Sequence, residues 1–362
     1  MKYKYRVDRY IWLYPAIFFL IVVFGMRETR GTDLGAQLYT LESFGNENLS
    51  SLIESLFSEE SEFVLYHVIF NILHNLLGIS PRLYIGFITL AYFVLLIFMM
   101  KELFKTEMYR NLSRSMLNGI CLFTILSLCP VLVTISRNFC AVVFVYASIL
   151  FFMKKRYIIA FIPLLLALWV HEGIKLMYVI LIMGLLLYYF WFRNVRNILI
   201  RNTIVVVVCA FLLYVGSSIF STAAALWFEN GLLSEHYLDM YGTARAGDGT
   251  YKLVIVLSML GPLICLFANC LIDKRNDIIY GIAVSGLFMI CLLYNFKIFY
   301  VQRLMMFMPI FIGFTSYHIC HDYISREGRI NQLYLYVMWL IPANVIFQYV
   351  IQFDLYFGNF YR

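Results

Sequence analysis

The feature that most constrains this chain is its succession of apolar runs, each close to the ~20 residues that a helix needs to cross a bilayer. They are separated for the most part by short polar connections. Hydrophobic residues make up 62% of the 362 positions and charged residues only 14%, which leaves no stretch from which a soluble domain could be built. In hydrocarbon every backbone polar group has to be satisfied within its own segment, and runs of this length do that as helices. The fold class is therefore all-α, a polytopic integral membrane protein forming a single transmembrane domain over residues 1–362. The pattern predicts about eleven spans: Tyr10 to Met26, Leu83 to Met100, Leu117 to Thr134, Phe139 to Met153, Tyr157 to Val170, Ile174 to Phe192, Thr203 to Phe220, Leu253 to Ile272, Ile278 to Phe296, Leu304 to Cys320 and Leu333 to Ile351. The first run ends in Met26-Arg27-Glu28 without a small-residue cleavage site, and reads as a retained helix.

Charge placement gives the orientation. On this topology 18 of the 28 Lys and Arg residues fall on the side of the N-terminus, while 14 of the 21 acids fall on the other side or at its rim. The basic side is cytoplasmic by the positive-inside rule, the N-terminus is inside, and the odd number of spans sets the C-terminus outside. The net charge of +7 thus expresses topology and contact with anionic lipid, and implies no nucleic acid. Eight cysteines lie in or at the ends of apolar segments, as expected for small buried hydrophobes.

Two longer outer loops interrupt the pattern, at about residues 27–81 and 221–252. Within the first, Phe63 to Leu77 has helical periodicity, with His67, Asn71, His74 and Asn75 on one stripe of an otherwise apolar helix. That stripe is either a solvated face of an interfacial helix or the lining of a headgroup or sugar cleft. The second loop carries Glu229, Glu235, His236, Asp239, Arg245 and Asp248 among four glycines, a composition equally suited to an acceptor groove and to an ordinary connection.

Chemistry concentrates at the outer rim. Arg27, Arg30, Arg137 and Arg303 each stand at the outer end of a span. A guanidinium there keeps its charge at any accessible pH, and its planar fork matches phosphate oxygens. Asp33, close to Arg27 and Arg30, is expected to stay ionised, holding an arginine or binding a sugar hydroxyl. Salt bridging at a membrane edge is the competing role. Arg137 sits where one helix ends near Thr134 and another begins, so its guanidinium and the new helix's free N–H groups face the outer cleft together. His171 and Glu172 close the fifth span at the same leaflet, where an imidazole beside a carboxylate is a candidate proton acceptor as well as a candidate packing residue. Tyr39, Tyr66, Tyr237, Tyr241 and Tyr300 are available to stack on sugar faces, or serve an interfacial aromatic belt.

In order along the chain, Arg27, Gly31, Thr32, Asp33 and Tyr39, then Glu62, Phe63 and Tyr66, then Arg137-Asn138 with Ala141, then His171 and Arg303, resemble the Wzy and EpsG-type polysaccharide polymerases. The resemblance covers most of the chain in short motifs. It implies a bacterial inner-membrane enzyme, of GT-C-like glycosyltransferase architecture, that takes a glycan from an undecaprenyl pyrophosphate carrier. The acceptor is another lipid-linked repeat unit at the periplasmic face. This chain departs from the resemblance in having Arg137-Asn138 where Arg-Gln is expected, and Glu172-Gly173 where a small hydroxyl residue is expected soon after the histidine.

Glycosyl transfer from such a carrier needs cations for the departing diphosphate and a base for the acceptor hydroxyl. Arg137, Arg303, Arg27 and Arg30 form the diphosphate set. His171 is the leading base, with Asp33 and Glu172 as alternatives, and Arg245, His67, Asn71 and Tyr39 are groove candidates. No cofactor or metal is expected. The implied partners are the lipid-linked donor and acceptor, membrane lipid and a chain-length regulator. An O-antigen ligase or another lipid-donor glycosyltransferase would share this logic. A flippase or transporter would instead carry its charges near the bilayer midplane, whereas here they cluster at span ends.

Overall fold

A computed structural model describes residues 12–25, 33–55, 64–103, 136–171, 174–192, 194–195, 197–229 and 278–294. All regular structure among these residues is helical. Ten α-helices run in the order α1 (Leu13–Leu20), α2 (Asp33–Gly45), α3 (Leu49–Ser55), α4 (Val64–Leu77), α5 (Pro81–Leu103), α6 (Ser136–Met153), α7 (Tyr157–Val170), α8 (Ile174–Leu186), α9 (Ile198–Glu229) and α10 (Ile278–Tyr294). Two π-helical stretches, Ile21–Gly25 and Leu187–Phe192, continue α1 and α8. Pro81–Met99 of α5 and Leu199–Gly216 of α9 are long and apolar enough to cross a membrane, and several shorter apolar helices accompany them. The spans expected at Leu117 to Thr134, Leu253 to Ile272, Leu304 to Cys320 and Leu333 to Ile351 lie outside the described residues. The chain divides into two compact units, Met1–Leu176 with Gln348–Arg362, and Met177–Phe347.

In the first unit α1 lies antiparallel to α5. Trp12 meets Phe98 at 5.4 Å, Phe18 stacks on Phe93 at 5.0 Å and Phe19 meets Phe87 at 5.4 Å between ring centroids. Gly86 permits this approach, since a Cβ there would stand 2.7 Å from Val23 Cγ2. Arg82, in the first turn of α5, donates from Nη1 to the carbonyl of Val23 at 3.2 Å, fastening the π-helical end of α1. A π turn leaves carbonyls off the regular ladder, and a guanidinium is a suitable donor for one of them.

α5 and α6 run parallel around a buried aromatic column in which Tyr92 packs on Phe139 at 4.9 Å and on Tyr146 at 5.2 Å. α6 and α7 form an antiparallel hairpin. Its turn is a Schellman motif, with the N–H of Arg156 on the Phe151 carbonyl and that of Lys155 on the Phe152 carbonyl, both at 2.9 Å. Lys155 takes the left-handed position that glycine usually fills, at φ 60°. Pro163 inside α7 cannot donate a backbone hydrogen bond, which loosens the preceding turn. Ser148 Oγ donates to the Ala160 carbonyl in that turn at 2.7 Å.

The segment expected as the first outer loop is largely helical, holding α2, α3 and α4. The polar stripe of α4 is buried at His67 and Asn71 and reaches the surface only at its far end, where Asn75 is exposed. Asn71 is 1% exposed, and its amide reaches the carbonyls of Phe44 at 2.7 Å and Glu47 at 3.0 Å, while Asn75 donates to Gly45 O at 3.2 Å. These carbonyls belong to the end of α2 and the turn beyond, where backbone acceptors have no helical partner. At 14 residues, or ~21 Å, α4 is too short to span a bilayer. The second expected loop also starts later than the hydropathy indicates, because α9 continues through Ser221-Thr222-Ala223-Ala224-Ala225 to Glu229. Alanine is the strongest helix former and carries the helix past its apolar stretch.

In the second unit α10 packs against α9 and the end of α8 through glycines. A Cβ on Gly184 would stand 2.5 Å from Ile282 Cα, and one on Gly216 2.5 Å from the Leu292 carbonyl oxygen. Backbone thus meets backbone, as in helix pairs that associate through small residues in lipid. Arg201 is fully buried in the first turn of α9. Cys209 and Cys291 are buried free thiols, as is Cys140 in the first unit.

Candidate functional site

The hairpin of α6 and α7 fixes the site. Ser148 is bonded to Ala160, and Ala141 and Ala167, each fully buried, lie on the same antiparallel register. Counted outward from the Ser148 to Ala160 bond, Arg137 and His171 are each eleven positions further on. At 1.5 Å per residue both stand ~16 Å from that bond, at the same level and the same end of the hairpin. Two small residues at the seam let the helices run close enough to hold this register to their ends.

Arg137 is half-buried in the first turn of α6, where the first N–H groups of a helix have no partner in the helix and its dipole favours an anion. His171 is 5% exposed and leaves α7 in an extended conformation, φ −159° and ψ 122°. Its N–H bonds the Ala167 carbonyl at 3.1 Å, and its own carbonyl accepts from Ile174 at 3.2 Å. The His171 main chain is therefore held by backbone bonds on both sides of the break between α7 and α8.

α4 packs against both α5 and α7 and brings a second histidine to the neighbourhood. His67 is 5% exposed and stacks on Phe44 with ring centroids 3.9 Å apart and planes 12° from parallel. Burial first, and then the positive charge of Arg137, hold its pKa down to about 3. This imidazole is neutral throughout the physiological range. The ring lies close enough to Arg137 to feel its field. Beside it the packing is aromatic: Tyr66 and Phe70 each meet the Tyr84 ring, and Tyr84 OH donates to the Tyr66 carbonyl at 2.9 Å.

The structure thus brings Arg137, His171 and His67 to one region of the first unit. Asn71 is committed to the end of α2. Tyr39 projects from α2 with 77% exposure. Asp33 opens α2. Arg27, Arg30, Glu172, Arg245 and Arg303 lie outside the described residues. Two polar residues near helix starts are given no role of their own by the sequence. Arg82 directly follows Pro81 at a helix start, a signal of the same kind as Arg137. The Asn138 side chain is nine-tenths buried, and only the structure exposes that. Among the described residues no three His, Cys, Asp or Glu side chains converge as a metal site.

The family that the chain matches is one of membrane-bound, glycosyltransferase-like polymerases. The EpsG family pattern matches residues 10–357, nearly the whole chain. The chain belongs to the EpsG family, among the Wzy/EpsG-type polysaccharide polymerases, and is a membrane protein. No curated protein and no solved structure gives a significant match.

Proposed function

We propose that this protein extends a polysaccharide at the outer face of the bacterial inner membrane, transferring a glycan from undecaprenyl pyrophosphate to a second lipid-linked repeat unit. The observation that carries this reading is the common level of Arg137 and His171 at one end of the α6–α7 hairpin. An acceptor hydroxyl attacks the anomeric carbon and the bond from that carbon to the diphosphate oxygen breaks. The hydroxyl proton passes to His171, with Asp33 and Glu172 as alternative bases. Negative charge grows on the diphosphate, where Arg137, with Arg303, Arg27 and Arg30, stabilises it without a metal. Tyr39, exposed on α2, and Arg245 contribute to the acceptor groove, and His67 stays neutral beside Arg137.

The reading includes eleven spans, a cytoplasmic N-terminus and an external C-terminus. Reporter fusions after Asn46 and Thr243 are both expected to read as external, and a cytoplasmic signal from either removes the outer-face assignment. The deciding experiment is the carbohydrate made by cells lacking the protein. Polymerase function leaves a surface lipid core capped by one repeat unit, with no longer ladder. A bare core above polymerised lipid-linked chains assigns the protein as a ligase.

A further inference from the structure

Arg137 is followed by an amide whose N–H donor the protein does not use. Asn138 is 9% exposed, its Nδ2 is shut off from solvent, and no acceptor lies within reach of that nitrogen. Such amides are rare, because a buried donor left without an acceptor costs about 1–3 kcal/mol. A simple packing role at this position is better served by leucine, which is close in size and carries no donor. The missing partner is an acceptor, since the orphan atom is an N–H group.

Position narrows what that acceptor is. Asn138 lies in the first turn of the 18-residue α6, directly after Arg137. Side chains in a helix lean toward its N-terminus, so this amide tilts to the end where the free backbone N–H groups and the positive pole of the dipole are found. Three kinds of donor, the guanidinium, the backbone N–H groups and the amide, then converge where an anionic oxygen is favoured. On the same hairpin level stands His171.

We infer that the side-chain amide of Asn138, next to Arg137 at the start of α6, is a neutral ligand for a diphosphate oxygen of the lipid-linked substrate. This rests on the reading of that end of the hairpin as the diphosphate site. The amide is a positioning group. It fixes one oxygen by a directed hydrogen bond and adds no charge, while Arg137 supplies the charge. The residue's small remaining exposure means that the oxygen enters by displacing a neighbouring side chain, and Arg137 has the long flexible stem for such a movement.

The test uses the full chain in lipid nanodiscs, titrated with undecaprenyl diphosphate and separately with inorganic diphosphate. Asn138→Leu is expected to keep or raise thermal stability, because it removes an unsatisfied buried donor, yet to weaken both ligands about 10- to 100-fold. A merely structural amide does not separate stability from affinity in this way. Asn138→Asp keeps the shape and replaces the donor by an acceptor. It is expected to weaken binding at least as much, and covers the case in which the leucine variant does not fold. Wild-type affinity in either folded variant, with binding lost in Arg137→Ala, overturns the role of Asn138 and leaves the diphosphate site standing. Wild-type affinity in Arg137→Ala overturns the site itself. Weakening confined to undecaprenyl diphosphate also overturns the inference, by placing the amide on the lipid or sugar and not on the anion.

Discussion

The α6–α7 hairpin of the first unit and the glycine-lined contact of α10 in the second solve the same problem with different materials. Both bring helices unusually close. In the second unit the closeness comes from Gly184, Gly216 and Gly281, which place backbone against backbone. In the first unit Ala141, Ala167, Ser148 and Ala160 hold the seam, and the same register carries Arg137 and His171 to its mouth. Close packing joins backbones in one case and sets two polar side chains at one level in the other. The lesson is that small residues at a helix seam need to be followed to the ends of the helices before their purpose is assigned.

The largest expected effect comes from breaking the glycine contact. Gly184→Leu forces a side chain onto the Ile282 backbone, and the protein is expected to disappear from the membrane fraction on immunoblotting. Full accumulation of that variant would dissolve the contrast between the two regions. His171→Gln is expected to leave protein amount unchanged while slowing chain extension about 10²- to 10⁴-fold, with lipid-linked single repeats accumulating. Normal ladders would transfer the base role to Asp33 or Glu172, and Asp33→Asn and Glu172→Gln would then separate those two. Arg137→Ala is expected to cost about 10²- to 10³-fold in extension at normal protein level. Arg137→Lys recovers little of this, since a point charge does not replace the planar fork. Full ladders with lysine reduce the residue to a membrane anchor.

Smaller effects probe the outer layer. Asn71→Leu strips the caps from the Phe44 and Glu47 carbonyls and is expected to cost about 1–3 kcal/mol of stability, read by thermal unfolding in detergent. The smallest effect is a pH slope. The folded pKa of His67, about 3, lies below its unfolded value of 6.5, so between these values the unfolded chain takes up a proton that the folded chain does not. The stability associated with neutral His67 is complete above the unfolded value and drains away as pH falls toward 3. Unfolding temperature is expected to fall on acidification from pH 7 to pH 4, and His67→Gln is expected to flatten that trend. An unchanged trend in the variant would place the titration elsewhere.

Much of the helical pattern is legible in the sequence, and the reasons it fails are local. The spans expected at Tyr157 to Val170 and Ile174 to Phe192 coincide with α7 and with α8 plus its π-helical end, because continuous apolar runs bounded by polar residues leave little choice of boundary. The helix expected from Phe63 to Leu77 is α4. Its polar stripe was open to a solvated reading because a face toward water and a face toward another helix's terminal carbonyls have the same periodicity. α2 and α3 escaped the hydropathy reading because they are short and mixed in polarity. Within the site, Arg137 and His171 are conspicuous as polar residues at span ends, but their common level depends on a register between two helices that hydropathy does not encode. The orphan amide of Asn138 depends on what fails to surround it, and no local pattern records that.

The turn at Lys155 carries a consequence for biogenesis. Arg137 and His171 are 34 positions apart in the chain, yet they are joined through a hairpin that closes over three residues, at a loop entropy close to the minimum for two helices. The pair needs no distant segment to find its level. A helical hairpin entering the membrane as one piece delivers both residues together, and contacts this local form early in any assembly order. Since the turn is at one extremity and the two side chains at the other, a hairpin zipped from its tip sets them in place last. Their alignment thus reports that the whole length behind them has been wound correctly.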